Sequence, residues 1–385
     1  MTTIVKAANA AEFVSLVPHL LGFHPTRSLV VVPFAGTRSL GAMRFDLPED
    51  DVDACAATII GMVCRVREAD AAALVTYTDD RFEESGGMPC LSLVDALRTH
   101  ADACGLRITD ALCVAADGWG SFLDPGVPPQ GHALADLDHG PDGLDVPVAA
   151  GDQAAGAVLP HADPGEREDV ARALESLAAA VEVLCGPDAS AARGTRIGGD
   201  AAETERRADA RIDPRSLAAA CVLDDLPALF ESALGWDAAS LSPFDAATLV
   251  WCLSRPALRD IALTQWGGGL SAGDEALDAQ LRWEAGEEYP VHLAMRLWGE
   301  GDRPDPARLA AGLELARRVA AVAPRAAQPG PLATAAWISW ALGRSTHAER
   351  YAHAAREIEP EHGLSEIVLS FVAASHLPDW AFRRS

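Results

Sequence analysis

Gly22-Phe23-His24-Pro25-Thr26-Arg27-Ser28-Leu29-Val30-Val31-Val32 is the stretch whose reading decides the fold class. Upstream of it, Phe13, Leu16, Val17, Leu20 and Leu21 recur at helical spacing and predict a helix over 8–21. Gly22 supplies a left-handed cap for that helix, and Pro25 bars its continuation. Ser28 to Val32 is β-branched and too short for a helix, so it reads as a buried strand.

The same alternation continues outward. A second strand is predicted over 39–45, joined to the first through Ala35-Gly36-Thr37 as a hairpin. Acids at Glu49, Asp50, Asp51 and Asp53 precede the next helix, and Arg65 and Arg67 follow it, an order that complements the helix dipole. A third strand is expected over 72–77 and a helix over 89–104, with Ser92-Leu93-Val94-Asp95 resembling a capping box. Strand 107–115 then turns at Asp117-Gly118 into a short returning strand at Trp119-Gly120-Ser121-Phe122. These elements predict an α/β amino-terminal domain over 1–123, with a mixed sheet, hairpins and flanking helices.

From 124 to 165 Pro, Gly and Asp dominate and periodicity stops, which reads as a loop or connection. Residues 166–385 read as an all-α carboxy-terminal domain. Helices are predicted at 166–185, 201–210, 213–223, 226–234, 243–253, 256–265, 272–282, 289–297, 306–322, 331–342, 345–358 and 363–375. Trp266-Gly267-Gly268-Gly269 reads as an interhelical turn rather than a phosphate cradle, since it follows a helix and has no neighbouring lysine. Gly343, Ala348, Ala355 and Pro360 have the spacing of the second helix of a tetratricopeptide-like hairpin, placed near 331–360; no second copy follows.

Composition narrows the function classes. Lys and Arg total 31 against 56 Asp and Glu, a net charge of −25, which repels phosphate backbones and argues against nucleic-acid binding. Arg206-Arg207 and Arg317-Arg318 are too short to reverse that field. No apolar run is long enough to span a bilayer, and Pro18 and His19 interrupt the stretch a secretory signal would need. The eight cysteines contain no C-x-x-C pair and read as buried, reduced thiols, so a cytoplasmic location is expected, with no membrane association.

No catalytic, cofactor or metal motif of fixed spacing is present, so no cofactor is expected and the balance leans away from an enzyme. Three sets of residues are candidates for function. Arg44 and Asp46 share one face of a strand and suggest a polar ligand cleft with Asp117, Trp119 and His24. Trp337, Trp340 and Tyr351 suggest a partner surface on the helical hairpin. His132, Asp136, Asp138 and His139, with Asp124, Asp142, His161 and Asp163, are weak metal candidates at no recognisable ligand spacing.

Pro18 to Pro25 followed by Ser28 to Val32 resembles the opening of the actinobacterial domain-of-unknown-function family 4192. Arg44-Phe45-Asp46-Leu47-Pro48, Asp110 to Val114 with Trp119, and the region from Ala336-Trp337 to Pro360 are similar to later signatures of that family. The resemblance spans nearly the whole chain, departs around 124–164, and implies no activity and no catalytic residues. The expected function is a non-enzymatic binding or assembly protein whose helical half engages a protein partner. The alternative is a small-molecule sensor or enzyme with a cleft at the strand ends of the α/β domain.

Overall fold

The expected strand lies inside a six-stranded mixed sheet in the computed structural model, which describes residues 7–138, 151–185 and 213–382. The chain divides into two compact units, residues 1–155 and 156–385. The expected helix over 201–210 lies outside the described residues.

In the first unit β1 (Ser28–Ala35) is paired along both edges, antiparallel to β2 (Arg38–Ser39) and β3 (Met43–Asp46) on one side and to β4 (Ala71–Tyr77) on the other. β5 (Arg107–Val114) runs parallel to β4, and β6 (Trp119–Ser121) closes the far edge antiparallel to β5. Leu29 to Val32 are fully buried, which is why β1 and β4 read as unbroken apolar runs rather than alternating ones. Alternate residues still face opposite layers. Val30 and Val32 pack with Val14 and Val17 of α1 (Ala10–Leu21), while α2 (Val52–Cys64) and α4 (Leu91–Cys104) pack on one another. Each such buried aliphatic side chain contributes about 1.5–3 kcal/mol of transfer free energy.

Several local expectations are corrected. The strand predicted over 39–45 is split, because Gly41 adopts φ 123° and Leu40 N–H turns back to donate to the Pro33 carbonyl at 2.8 Å. Helix α4 starts at Leu91 behind a left-handed Cys90, so Ser92 lies inside the helix and is not its cap. A short helix α3 (Phe82–Ser85) precedes it.

The segment after β6 is ordered where it is described. His132 exchanges backbone hydrogen bonds with Trp119, and the Ser15 hydroxyl donates to the Leu137 carbonyl at 2.8 Å. Further on, Arg317 and Arg318 donate to the carbonyls of Val158 and His161, which attaches 158–161 to the helical unit.

The second unit is helical: α5 (Pro164–Cys185), α6 (Pro214–Val222), α7 (Leu226–Ala233), α8 (Pro243–Leu253), α9 (Pro256–Gly268), α10 (Leu270–Glu284), α11 (Val291–Leu297), α12 (Pro306–Val322), α13 (Pro329–Ala341), α14 (Ser345–Arg356) and α15 (Gly363–Ala373). Gly267 and Gly268 belong to α9, and the turn is made by Gly269 alone. Burial of Trp266 against Phe230 holds that last turn of α9 helical. Every residue of α13 is buried, so the helix is apolar all round and forms the centre of the unit. Buried Ala348, Ala352 and Ala355 let α14 lie close against it.

Polar ties cross between helices. Arg308 of α12 grips Glu231 of α7 through two hydrogen bonds of 2.7 Å, and Gln265 of α9 donates to the same carboxylate. The Arg308 hydrogen bonds, opposed by partial burial, pull the Glu231 carboxyl from 4.5 down to about 2. A depressed carboxyl contributes stability that is present above its unfolded pKa and lost as pH falls through the folded one. Thermal melts should therefore show a Glu231-dependent loss of stability between pH 4.5 and about 2, and Glu231→Gln should flatten that segment. Trp340→Ala should cost about 3–5 kcal/mol in denaturant unfolding, as expected for removing a large buried aromatic.

Candidate functional site

The carboxyl end of β4 lies beside the start of β1 and the end of β3, because β1 is antiparallel to both. Loops from these three strand ends open a cleft of about 580 Å³ lined by Thr26, Arg27, Asp46–Glu49, Thr78–Asp80 and Gln153. Its size falls within the usual range for small-molecule sites.

Two devices shape one wall. Arg27 adopts φ 45°, a left-handed conformation that is costly for a residue with a side chain, as the chain turns into β1. Beside it, Thr26 donates through both its N–H and its hydroxyl to Gln153 Oε1, each at 3.1 Å, and Gln153 Nε2 donates back to the Thr26 carbonyl. The opposite wall is set by the chain leaving β4, where Thr78 N–H donates to the Val114 carbonyl and Asp80 N–H to the Thr78 hydroxyl.

The cleft is acidic. Asp46, Glu49, Asp79 and Asp80 all line it, with Arg27 as the only basic residue of the lining. Asp46 is ion-paired to Arg44, whose Nε also donates to the Ser28 hydroxyl at 2.7 Å. Glu49, Asp79 and Asp80 have no ion-pair partner among the described residues.

Of the residues expected to share a cleft, Asp46 alone lines this one. Arg44 stands behind it as the ion-pair partner. Trp119 is at the level of Asp46 along the strands, but the register Asp46–Ser28–Tyr77–Val114–Trp119 separates them by four strand spacings, about 19 Å. Trp119 instead packs its ring on His132 at 5.0 Å and belongs to the sheet core. Asp117 accepts hydrogen bonds from the Phe82 and Glu83 N–H groups and so caps α3. Burial opposes ionisation of Asp117, but these backbone hydrogen bonds and Arg81 outweigh it and hold the carboxyl below its ordinary range. The ring of His24 is exposed, and its backbone N–H donates to the Gly151 carbonyl.

The expected partner surface is not a surface. Trp337, Trp340 and Tyr351 are 1%, 0% and 2% exposed. The indole N–H of Trp337 donates to the Leu297 carbonyl and that of Trp340 to the His376 carbonyl, each at 2.8 Å, so both polar edges are satisfied inside the core. Among the described residues His132, Asp136 and Asp138 form no group able to hold a metal, and His139 and Asp142 lie outside the described residues.

Cysteine placement also departs from expectation. All eight are free, but only Cys113 and Cys252 are buried, and burial pushes each up to about 12. Cys64, Cys104, Cys185 and Cys221 are exposed because they fall on the solvent faces or last turns of their helices.

A second depression, about 820 Å³, lies in the helical unit between α5, α6 and α8, with Trp236, Phe244, Leu229 and Ala219 among its lining residues. Its exposed lining is mostly apolar, with Asp169, Arg172, Asp213, Arg215 and Asp245 also among the lining residues. Sequence reasoning found Asp46 through its strand pattern. It missed Arg27, Asp79, Asp80 and Gln153, whose only signal was a position just outside a strand or in a loop.

The chain belongs to the family described as Domain of unknown function (DUF4192), whose model matches residues 11–379. No curated protein and no solved structure matches it. No helix among the described residues is long and apolar enough to cross a membrane.

Asp117→Ala removes the acceptor for two α3 amides and should lower the denaturant midpoint of the full chain, whereas Asp117→Asn, which keeps an acceptor oxygen, should lower it less.

Proposed function

We propose that this family member is a small-molecule-binding protein whose α/β unit takes a small organic amine in the cleft at the carboxyl end of β4. The observation that carries this reading is the cleft itself: four separate segments converge there with three carboxylates that have no ion-pair partner among the described residues, one guanidinium, and hydroxyl and amide groups. Ligands of open α/β sheets favour such strand ends, where loops rather than regular backbone present polar groups. A net negative lining favours a cation, and an ammonium group offers hydrogen-bond donors that carboxylates and threonine hydroxyls accept.

Two stretches that carry the family resemblance meet here. Thr26 and Arg27 are the two residues between the halves of the first, Pro18 to Pro25 and Ser28 to Val32, and Asp46, Leu47 and Pro48 end the second. The alternative, a helical half docked to a protein partner, loses its motivating residues to the core, since Trp337, Trp340 and Tyr351 are buried.

Putrescine and 1,4-butanediol, a matched pair differing in charge, test the reading by thermal shift of the full chain. Putrescine should raise the melting midpoint, by the equivalent of about 2.7 kcal/mol at a hundred times its Kd, and butanediol should not. Asp79→Asn/Asp80→Asn should abolish the shift, whereas Asp224→Asn/Asp274→Asn, the same charge change at exposed acids of the helical unit, should retain it. An equal response from both double variants, or none from the wild-type chain, would overturn the proposal.

A further inference from the structure

Cys64 is the last residue of α2 and Cys104 the last residue of α4. The two helices pack against each other, so their carboxyl-terminal ends meet. Both cysteines are exposed, and Cys104 is the neighbouring thiol whose presence helps push the Cys64 thiol up. The two cysteines are distant in sequence, and the fold sets them at the ends of two packed helices.

We infer that Cys64 and Cys104 form a surface dithiol that hydrogen peroxide converts to a disulfide stapling α2 to α4, which a thiol reductant reverses. The chemistry needs two thiols and one two-electron oxidant. One sulfur attacks a peroxide oxygen, the O–O bond breaks, and a sulfenic acid and one water form. The second sulfur then attacks the sulfenic sulfur, the S–S bond forms, the S–O bond breaks and a second water leaves. Two electrons pass from the sulfurs to the peroxide, and both thiol protons end in water.

Position distinguishes this pair. Each cysteine is the last residue of one of two helices packed on each other, so a sulfenic acid formed on either sulfur has a candidate resolving thiol on the neighbouring helix end. Exposure gives the oxidant access. Partial burial and the neighbouring Cys104 thiol push the Cys64 thiol above its ordinary range. The pair lies where the chain enters β4 and β5, at the opposite end of these strands from the cleft, so the disulfide is a staple between helices and not a gate on the cleft.

The full chain, reduced and then treated with one equivalent of hydrogen peroxide, would be alkylated with N-ethylmaleimide and digested with trypsin. Peptides 45–65 and 99–107 should appear as one linked species, lighter than the two free peptides by about 2 Da. Since 45–65 also contains Cys55, the Cys55→Ser variant should give the same link, whereas Cys64→Ser and Cys104→Ser should each abolish it. Dithiothreitol should restore both alkylatable thiols. The inference is overturned if the link survives in Cys64→Ser, or if Cys185 and Cys221 are oxidised while 45–65 and 99–107 stay separate. Failure of putrescine binding would leave this result untouched, because the two tests read different ends of the sheet.

Discussion

Everything in the first unit is arranged around β1, a strand whose backbone is paired on both edges and whose side chains are covered on both faces. A strand in that position cannot hydrogen-bond to water, so its partners must be supplied by the chain. β3 and β2 supply one edge and β4 the other, both antiparallel. Antiparallel pairing on each side sends the start of β1 to the same end as the finish of β3 and of β4. The cleft follows from that geometry: three chain segments enter or leave the sheet together, and their loops cannot all be covered by helices.

The helical unit answers a different constraint. α13 is buried along its whole length, and indoles of such size bring polar N–H groups into an apolar interior. Trp337, Trp340, Trp266 and Trp380 each direct that N–H to a backbone carbonyl of another segment. The carbonyls of Leu297 and His376 lie at or beyond helix ends, where the backbone has acceptors to spare. Tryptophan therefore works here as a tie between helix termini as well as a filler of volume, and that role leaves no aromatic face for another protein on these residues.

The two chemically distinctive places on the α/β unit have a common origin in parallel β4 and β5. Their carboxyl ends open toward loops rich in Asp and Thr, while their amino ends receive the carboxyl termini of α2 and α4. Crossover helices that return a chain to a parallel neighbour must end on the same side, so their last residues become neighbours. Cys64 and Cys104 occupy those last residues.

Much of the architecture was legible in the residues. Gly22 and Pro25 end α1, the apolar runs at Ser28 to Val32 and Ala71 to Thr76 are strands buried on both faces, and Pro306, Pro243 and Pro256 start helices, because capping chemistry and hydrophobic period act over a few residues. Local rules failed in two places: Gly267 and Gly268 stay helical beside buried Trp266, and the positive φ of exposed Gly41 splits a strand that periodicity read as continuous. The candidate site was legible only in Asp46. Arg44 and Asp46 sit on a common strand face, as read, yet Trp119 lies across the whole sheet from them, since strand order is a long-range property that no local pattern encodes. The same holds for the cysteines and tryptophans. Residue type and spacing determined which elements form, whereas the tertiary structure alone decided which side chains meet, because contact depends on packing between segments distant in sequence.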